Sequence, residues 1–270
     1  MLSREGHEIM VNSLLRTTLA TLRALLLTGL VALIIPVLLL GSWVPGYGAW
    51  WRQRVRRLWI RMILVTLGIR IHWEGRIPDF PAIYVGNHRA YIDPLLLMRD
   101  VLAVPVAKKE MASWPLIGFA ARLSGIFFVD RESSKDRQRT LHKITAEVRR
   151  GGSILLFPEG TTHAGHEVLP FRKGVFRVAA EEQVHMVPFA LDFDDPADYW
   201  IGKDTFAAHF FRRFGHWRTR VHVAVGPDLF DPDGEAMRLH CMEWINAKLA
   251  EFRAGEPART LERSKAGVGA

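Results

Sequence analysis

The pattern of apolar and polar positions divides this chain into three parts. Residues 24–43 carry no charged side chain. Twenty helical residues at about 1.5 Å each span about 30 Å, the thickness of a bilayer core. Residues 49–68 mix arginine with tryptophan and aliphatic residues, which is typical of a helix at a headgroup surface. From residue 69 onward, short β-branched runs alternate with amphipathic stretches.

Seven segments of the third part have the length and composition of buried strands. They are residues 69–73, 82–86, 102–107, 126–129, 153–157, 186–191 and 221–225. Amphipathic stretches at 134–150, 173–183 and 235–252 predict helices. Strands separated by helices favour an α/β fold. We therefore expect a mostly parallel sheet flanked by helices, with an N-terminal membrane-anchoring helical segment.

The domain organisation follows from these boundaries. Residues 1–68 form the predicted anchor, with 24–43 as a transmembrane helix or as half of a re-entrant hairpin. A signal peptide fits less well, because its apolar core is shorter and ends in a cleavage pattern. Residues 69–253 form the predicted α/β domain, and the small, polar residues 254–270 predict a disordered tail. More arginine follows the apolar run than precedes it, which places the domain on the cytoplasmic side of a membrane, the inner one in a bacterium.

The charge and the cysteine content limit the classes of partner, disulfide and metal site that the chain can have. The 270 residues carry a formal net charge of +8. A basic chain suits an anionic membrane, a phosphorylated substrate or a nucleic acid, but nucleic-acid-binding motifs are lacking and no such partner is predicted. The single cysteine, Cys241, excludes an internal disulfide and falls on an apolar helical stripe. No metal is predicted, because His163 and His166 lack clustered carboxylates or thiols beside them.

The first candidate for chemistry is the sequence NHRAYIDP at residues 87–94. His88 follows a predicted strand directly, where open α/β sheets present catalytic groups. Asp93 precedes a proline and is therefore predicted to cap a helix. If the loop folds back, Asp93 reaches the His88 ring, fixes its tautomer and leaves the other nitrogen as a base. Taken alone, a helix cap and a loop histidine explain the same residues.

Three later segments favour the catalytic interpretation of His88 and Asp93 over the structural one. They are GIFFVDR at 125–131, FPEGTTH at 157–163 and MVPF at 186–189. With the first block they resemble the glycerophospholipid acyltransferase family, the lysophosphatidate (1-acyl-sn-glycerol-3-phosphate) acyltransferases. That family carries N-H-x4-D (the HX4D motif), G-x-x-F-V-x-R, F-P-E-G-T and V-P-x in this order, and the match runs from about residue 83 to 188.

The resemblance implies a membrane-bound O-acyltransferase of phospholipid biosynthesis. The acyl group would pass from acyl-CoA or acyl carrier protein to the free hydroxyl of a lysophospholipid, above all from lysophosphatidate to phosphatidate. No cofactor is implied beyond the thioester co-substrate. His88 would be the general base and Asp93 its orienter, since an alcohol is a poor nucleophile at neutral pH. Backbone N–H groups beyond Asn87 or near Gly160 are candidates for holding the oxyanion.

The resemblance also implies a set of substrate-binding residues. They are Lys108, Arg131, Glu159, Gly160, Thr161, Arg172 and Lys173. The first two would face the acceptor phosphate, and the E-G-T turn would bind glycerol. The family often continues E-G-T-R, whereas Thr162 and His163 stand here, so the acceptor head group stays open. Arg172 and Lys173, which follow the turn, could supply the positive charge of the missing arginine. Lyso-ornithine lipid is an alternative acceptor.

Two other classes of function compete. A membrane lipid hydrolase would use the same lipids, but it needs a nucleophilic serine elbow or a bound metal. A non-catalytic membrane scaffold would tolerate loss of the candidate catalytic residues. Residues 206–214 mix aromatic residues with arginine, which fits contact with a membrane and fits core packing equally well.

Overall fold

The computed structural model describes residues 4–43, 49–114 and 117–266. Its centre is a seven-stranded sheet in the order β1-β7-β6-β2-β5-β3-β4. The strands are β1 Ile69–Glu74, β2 Ile83–Gly86, β3 Val104–Lys108, β4 Phe127–Val129, β5 Ile154–Leu156, β6 Met186–Phe193 and β7 Thr219–Val225. Strands β6, β2, β5, β3 and β4 run parallel, β7 is antiparallel to β6, and β1 is parallel to β7. The α/β prediction is confirmed.

Helices cover both faces of the sheet. They are α1 Arg4–Ser42, α2 Ala49–Thr66, α3 Asp93–Met98, α4 Ile117–Leu123, α5 Ser134–Arg149, α6 Gly174–Glu181, α7 Phe206–Arg213 and α8 Gly234–Ala266. The three helices predicted from long amphipathic stretches correspond to α5, α6 and α8. The sequence did not predict α4 and α7, which have seven and eight residues, whereas α6, also with eight, lies inside the longer amphipathic stretch 173–183.

Alternation along the strands builds two cores. Ile83 and Val85 point to one face of β2, in the core shared with α5, α6 and α8. Tyr84 points to the other, in the core shared with α2, α3 and α7. Phe210 and Phe214 also pack in this second core, so residues 206–214 are largely a packing element.

Helix α2 belongs to the catalytic domain. Ile60, Ile63 and Leu64 lie in the second core, although the sequence placed this helix at a headgroup surface. Arg56, counted among its headgroup-facing arginines, is buried instead. Its guanidinium donates to the carbonyls of Ala103 at 2.5 Å and Ser124 at 3.2 Å. Buried carbonyl oxygens need such a donor, and the cation meets that need.

Helix α8 extends further than the sequence suggested. The predicted disorder began at residue 254, but the helix continues to Ala266. This extension mixes strong helix formers with Gly255 and Pro257, which disfavour a helix interior, so propensity alone does not account for the difference. Residues 267–270 of the predicted tail lie outside the described residues.

Candidate active site

Two of the four sequence blocks meet because their strands are neighbours. β2 pairs with β5 in parallel, and β6 pairs with the other edge of β2. Parallel neighbours end at the same edge of a sheet, so His88, just after β2, and Glu159, just after β5, lie side by side. The backbone N–H of His88 donates to Glu159 Oε2 at 2.7 Å. The sheet order, rather than any local motif, makes this contact.

The ring of His88 is oriented by Asp93. His88 Nδ1 lies 2.8 Å from Asp93 Oδ2, and the same oxygen accepts the N–H groups of Arg89 at 2.5 Å and Ala90 at 2.8 Å. A carboxylate that holds Nδ1–H leaves Nε2 as the basic nitrogen. Across the described ranges, no hydrogen bond to Nε2 is found. The predicted pairing of His88 with Asp93 is confirmed.

The predicted cap is wrong, however. Helix α3 begins at Asp93 itself, and the capping position is Ile92, which makes no side-chain cap. The carboxylate turns back to residues 88–90 instead of accepting the N–H groups of the following turn. Three donors from the preceding loop outcompete the helix end for the same oxygen.

Aromatic packing and one amide hold the histidine loop from two sides. The His88 ring stacks on Phe157, with centroids 4.2 Å apart and an interplanar angle of 20°. Asn87 exchanges a pair of hydrogen bonds with the backbone of Leu191 in β6, at 2.8 and 2.9 Å. The loop is therefore attached to β5 on one side and to β6 on the other.

Glu159 lies at the centre of the internal hydrogen bonds of the site. Besides the His88 N–H, its carboxylate accepts from His163 Nε2 at 2.8 Å and from the Leu169 N–H at 3.0 Å. Its side chain is fully buried. Burial raises the pKa of the Glu159 carboxyl, and the nearby His163 opposes that shift. The substrate-binding role for Glu159 stays a prediction, since in this structure the carboxylate faces inward.

His163 completes a closed ring of contacts. Its N–H donates to the His88 carbonyl at 3.3 Å, and its Nδ1 accepts the Gly165 N–H at 3.0 Å. The carbonyl of His163 in turn accepts Arg89 Nη1 at 2.9 Å. Thr162, which stands where the resembled family often has an arginine, donates its hydroxyl to the Trp200 carbonyl at 2.5 Å, and His163 beside it binds Glu159.

Several predicted oxyanion donors are already engaged. The N–H groups of His88, Arg89 and Ala90 donate to carboxylates, and that of Gly160 donates to the Phe157 carbonyl at 3.2 Å. These four are not available to a substrate oxygen in this conformation. The other N–H groups beyond Asn87 and those next to Gly160 stay candidates, and the oxyanion role stays a prediction.

Arg131 and Arg172 flank the E-G-T turn, and their predicted contacts with the acceptor stay predictions. Arg131 Nη1 donates to the Gly160 carbonyl at 2.6 Å, and Arg172 Nη1 lies 3.4 Å from the Arg131 carbonyl. Burial, followed by the charge of Arg172, lowers the pKa of Arg131. Gly160 has φ of 76°, and a Cβ there would lie 3.0 Å from the Arg172 guanidinium, so glycine is required at this turn.

A cavity of about 580 Å³ adjoins this cluster. Part of its wall is apolar, with Val106, Ile144, Leu156 and Phe157, the ring that stacks on His88, and part is polar, including Glu132. Its cations are Arg131, Arg137, Arg172 and Lys173. An apolar pocket with a basic side next to a general base fits an amphiphile with an anionic head.

The remaining predicted residues lie on the periphery. Lys108 ends β3 and pairs with Glu110 at 3.4 Å on the surface. Lys173 lines the cavity and pairs with Glu235 at 3.4 Å. Thr161 is exposed on the turn. Their predicted contacts with substrate stay predictions, as does the absence of a metal.

Sequence reasoning missed the buried polar partners of the site. Arg89 is fully buried, and its Nε lies 3.4 Å from Asp192, at the end of β6. Tyr199 donates to the same aspartate at 2.5 Å, and Arg213 pairs with Asp198 at 2.7 Å. The sequence signal was the acidic run at residues 192–198. Such a run predicts a solvated loop as long as its buried partners are unknown.

Known proteins resemble this chain in sequence and fold. Residues 68–192 match the family described as Acyltransferase. The lyso-ornithine lipid O-acyltransferase of Pseudomonas aeruginosa is 31% identical over 251 residues, covering 88% of this chain and 96% of that protein. The 1-acyl-sn-glycerol-3-phosphate acyltransferase alpha of Homo sapiens is 31% identical over 194 residues, covering 67% of this chain and 64% of that protein.

One solved structure shares the fold. The 1-acyl-sn-glycerophosphate (LPA) acyltransferase PlsC from Thermotoga maritima superimposes with a TM-score of 0.58 at 20% sequence identity. The match covers 87% of this chain and 98% of that one.

Proposed function

Because this chain belongs to the acyltransferase family, with lyso-ornithine lipid and 1-acyl-sn-glycerol-3-phosphate acyltransferases among its relatives, we propose that it acylates the free hydroxyl of a lyso-lipid whose head group carries a phosphate or a carboxylate. The observation that carries the proposal is the His88–Asp93 pair. In the described part of the chain Nε2 has no hydrogen-bond partner, and Phe157, which stacks on the His88 ring, lines a cavity with four cations. A base, a hydrophobic pocket and a charge for the head group are what this reaction requires.

The reaction proceeds by direct transfer. His88 Nε2 accepts the proton of the acceptor hydroxyl as that oxygen attacks the thioester carbonyl. The new C–O bond forms, the C–S bond breaks, and the leaving thiolate takes the proton from the imidazolium. Asp93 stabilises the transient cation through its hydrogen bond to Nδ1. Acyl-CoA or acyl carrier protein supplies the thioester.

Lysophosphatidate is the acceptor we propose first. The cations that line the cavity would attract a phosphate monoester, and arginine binds phosphate in a bidentate manner. The product would be phosphatidate, a precursor in phospholipid biosynthesis.

Lyso-ornithine lipid is the second candidate. The Pseudomonas aeruginosa relative with that name spans nearly the whole of this chain. In addition, Thr162 occupies the position where the resembled family often has an arginine, and its hydroxyl donates to the Trp200 carbonyl. The carboxylate of an amino-acid head group would then replace the phosphate next to Arg131 and Arg172.

An acceptor panel tests the proposal. The purified enzyme receives labelled acyl-CoA or acyl carrier protein with lysophosphatidate, lyso-ornithine lipid or lysophosphatidylcholine. We expect acceptor-dependent formation of diacyl product with one of the first two and little with the third. Release of the label as free fatty acid, independent of any acceptor, would overturn the proposal in favour of a hydrolase.

We also propose that the enzyme is attached to one leaflet of the membrane. The segment Met10–Gly41 of α1 is long and apolar enough to cross a bilayer, by length and composition. Yet α1 contacts the α/β domain along much of its length. Arg16 lies beside Gly215, and Leu38 packs with Ala120. At 1.5 Å per residue these two contacts are about 33 Å apart along the helix. A spanning helix would carry that part of the domain into the hydrocarbon, where its polar backbone is costly. These contacts favour the re-entrant alternative. The distribution of arginine around the apolar run favours the cytoplasmic leaflet.

A further inference from the structure

The catalytic domain itself carries an exposed aromatic residue beside the anchor helix. Trp217 lies in the loop between α7 and β7, and 79% of it is exposed. Arg218, the next residue in the chain, is exposed, and so is Arg16 of α1, which lines the same groove as Trp217. Tryptophan flanked by arginine is the combination that prefers the interface of an anionic bilayer.

Arg23 fixes the Trp217 loop to the middle of α1. Its guanidinium donates to the carbonyls of Phe214 at 2.9 Å, His216 at 2.5 Å and Trp217 at 3.0 Å. Arg23 is 6% exposed, so these three carbonyls, not water, compensate its charge. A cation in the centre of an apolar helix is costly without such partners. Whatever depth α1 adopts in a membrane, Trp217 adopts with it.

The lipid-facing side of α1 continues onto the same loop. Gly215 approaches the α1 backbone so closely that a Cβ would lie 2.7 Å from the Arg16 carbonyl. Leu22, exposed on α1, lines one groove together with Trp217. This groove joins the helix to the tryptophan through leucines together with polar residues, Arg16 and His216 among them.

The strand order places this loop at the catalytic edge of the sheet. β7 is antiparallel to β6, and its first residues lie opposite the carboxyl end of β6, with Val221 beside Phe193. His88 follows β2, which runs parallel to β6. Both His88 and Trp217 are therefore at the edge where the parallel strands end.

We propose that Trp217 inserts into the lipid surface next to α1 and so docks the catalytic edge on the bilayer that holds the acceptor. The proposal rests on the membrane attachment proposed above. Its consequence is geometric, since an acceptor that stays in the leaflet presents its hydroxyl to His88 without leaving the membrane.

Site-directed spin labelling tests the proposal in the full-length protein. Cys241 is fully buried, so single cysteines introduced elsewhere are labelled selectively. The variants are Trp217→Cys, Leu26→Cys on the exposed side of α1, and Phe230→Cys beyond the far end of β7. Phe230 is the matched control, because it is an exposed aromatic at the opposite edge of the sheet.

The labelled proteins are reconstituted in vesicles of phosphatidylethanolamine and phosphatidylglycerol. Collisions of the nitroxide with oxygen, which partitions into lipid, are compared with those of a water-soluble nickel chelate. We expect the oxygen-to-nickel ratio at 217 to match that at 26 and to exceed that at 230 severalfold. If the label at position 26 lies in lipid but the oxygen-to-nickel ratio at position 217 equals that at position 230, the docking of Trp217 is overturned. Nickel access at 26 as well would overturn the membrane attachment and the docking together.

Discussion

At the scale of single residues, His88 is held more completely than a base of an exposed loop would be. Asp93 holds Nδ1, Phe157 covers one ring face, and Glu159 binds the backbone N–H. Pre-organisation of this kind removes the cost of orienting the base when the substrate arrives. The properties of the site thus depend on residues that need not touch the substrate.

Replacement of His88 by alanine removes the base. We expect kcat to fall by about 10²- to 10⁴-fold, the usual contribution of general-base catalysis, while the protein still accumulates in membranes. The measurement is acyl transfer per mole of purified enzyme with the preferred acceptor. Full activity would remove His88 from the mechanism.

His163 is expected to act through Glu159 and not on the substrate. The variant His163→Ala loses a hydrogen bond to a charged group, worth about 1.5–3 kcal/mol, so kcat should fall roughly 10- to 100-fold with the acceptor KM unchanged. His163→Gln, whose amide can donate to the same oxygen, should recover most of the activity. The split between kcat and KM distinguishes positioning from binding, and a raised KM in both variants would assign His163 to the acceptor.

At the scale of elements, the approach of β2 to β6 fixes the position of the catalytic loop. Gly86, the last residue of β2, faces the Phe189 ring so closely that a Cβ would lie 2.2 Å from a ring carbon. Asn87 then bonds to Leu191 on the same strand. A small residue and an amide together set the distance between the two strands where His88 emerges.

The variant Gly86→Ala should therefore disturb stability and activity together. We expect it to be destabilised by about 1–3 kcal/mol, as overpacked interiors are, and to lower the thermal midpoint in detergent. Gly29→Ala is the control, because nothing lies within 4 Å of a Cβ at that position in α1. Equal midpoints for the two variants would show that β2 can move away from Phe189 at little cost.

At the scale of the whole molecule, α1 is part of the folded enzyme rather than a detachable anchor. Ile34 and Leu38 pack against Ala120 of α4, Trp59 of α2 donates to the Leu30 carbonyl at 2.9 Å, and Arg23 binds three carbonyls. Removal of the helix would expose apolar surface and leave those carbonyls without their donor.

Deletion of residues 1–43 should consequently yield no active soluble domain. We expect aggregation or loss of nearly all acyl transfer, measured on the fraction that stays in solution and on the detergent-solubilised fraction. Deletion of residues 1–8, which precede the apolar segment, is the control and should retain activity. A soluble, active product of the longer deletion would show that α1 serves only as an anchor.

The sequence by itself determined the periodic features of this protein. All seven strands, the helices α5, α6 and α8, and the pairing of His88 with Asp93 followed from patterns within a few residues of each other. Such features depend on local alternation, helical spacing and turn chemistry, which neighbouring residues encode.

Only the tertiary structure decided which polar groups are partners. His88 and Glu159 are 71 residues apart, Arg56 and Ser124 are 68 apart, and Arg23 reaches carbonyls more than 190 residues away. A buried donor binds whichever acceptor the packing of strands and helices brings within about 3 Å, and the order of strands in the sheet is not written in any one segment. For that reason the chemistry of the site could be predicted, whereas its internal support and its attachment to α1 could not.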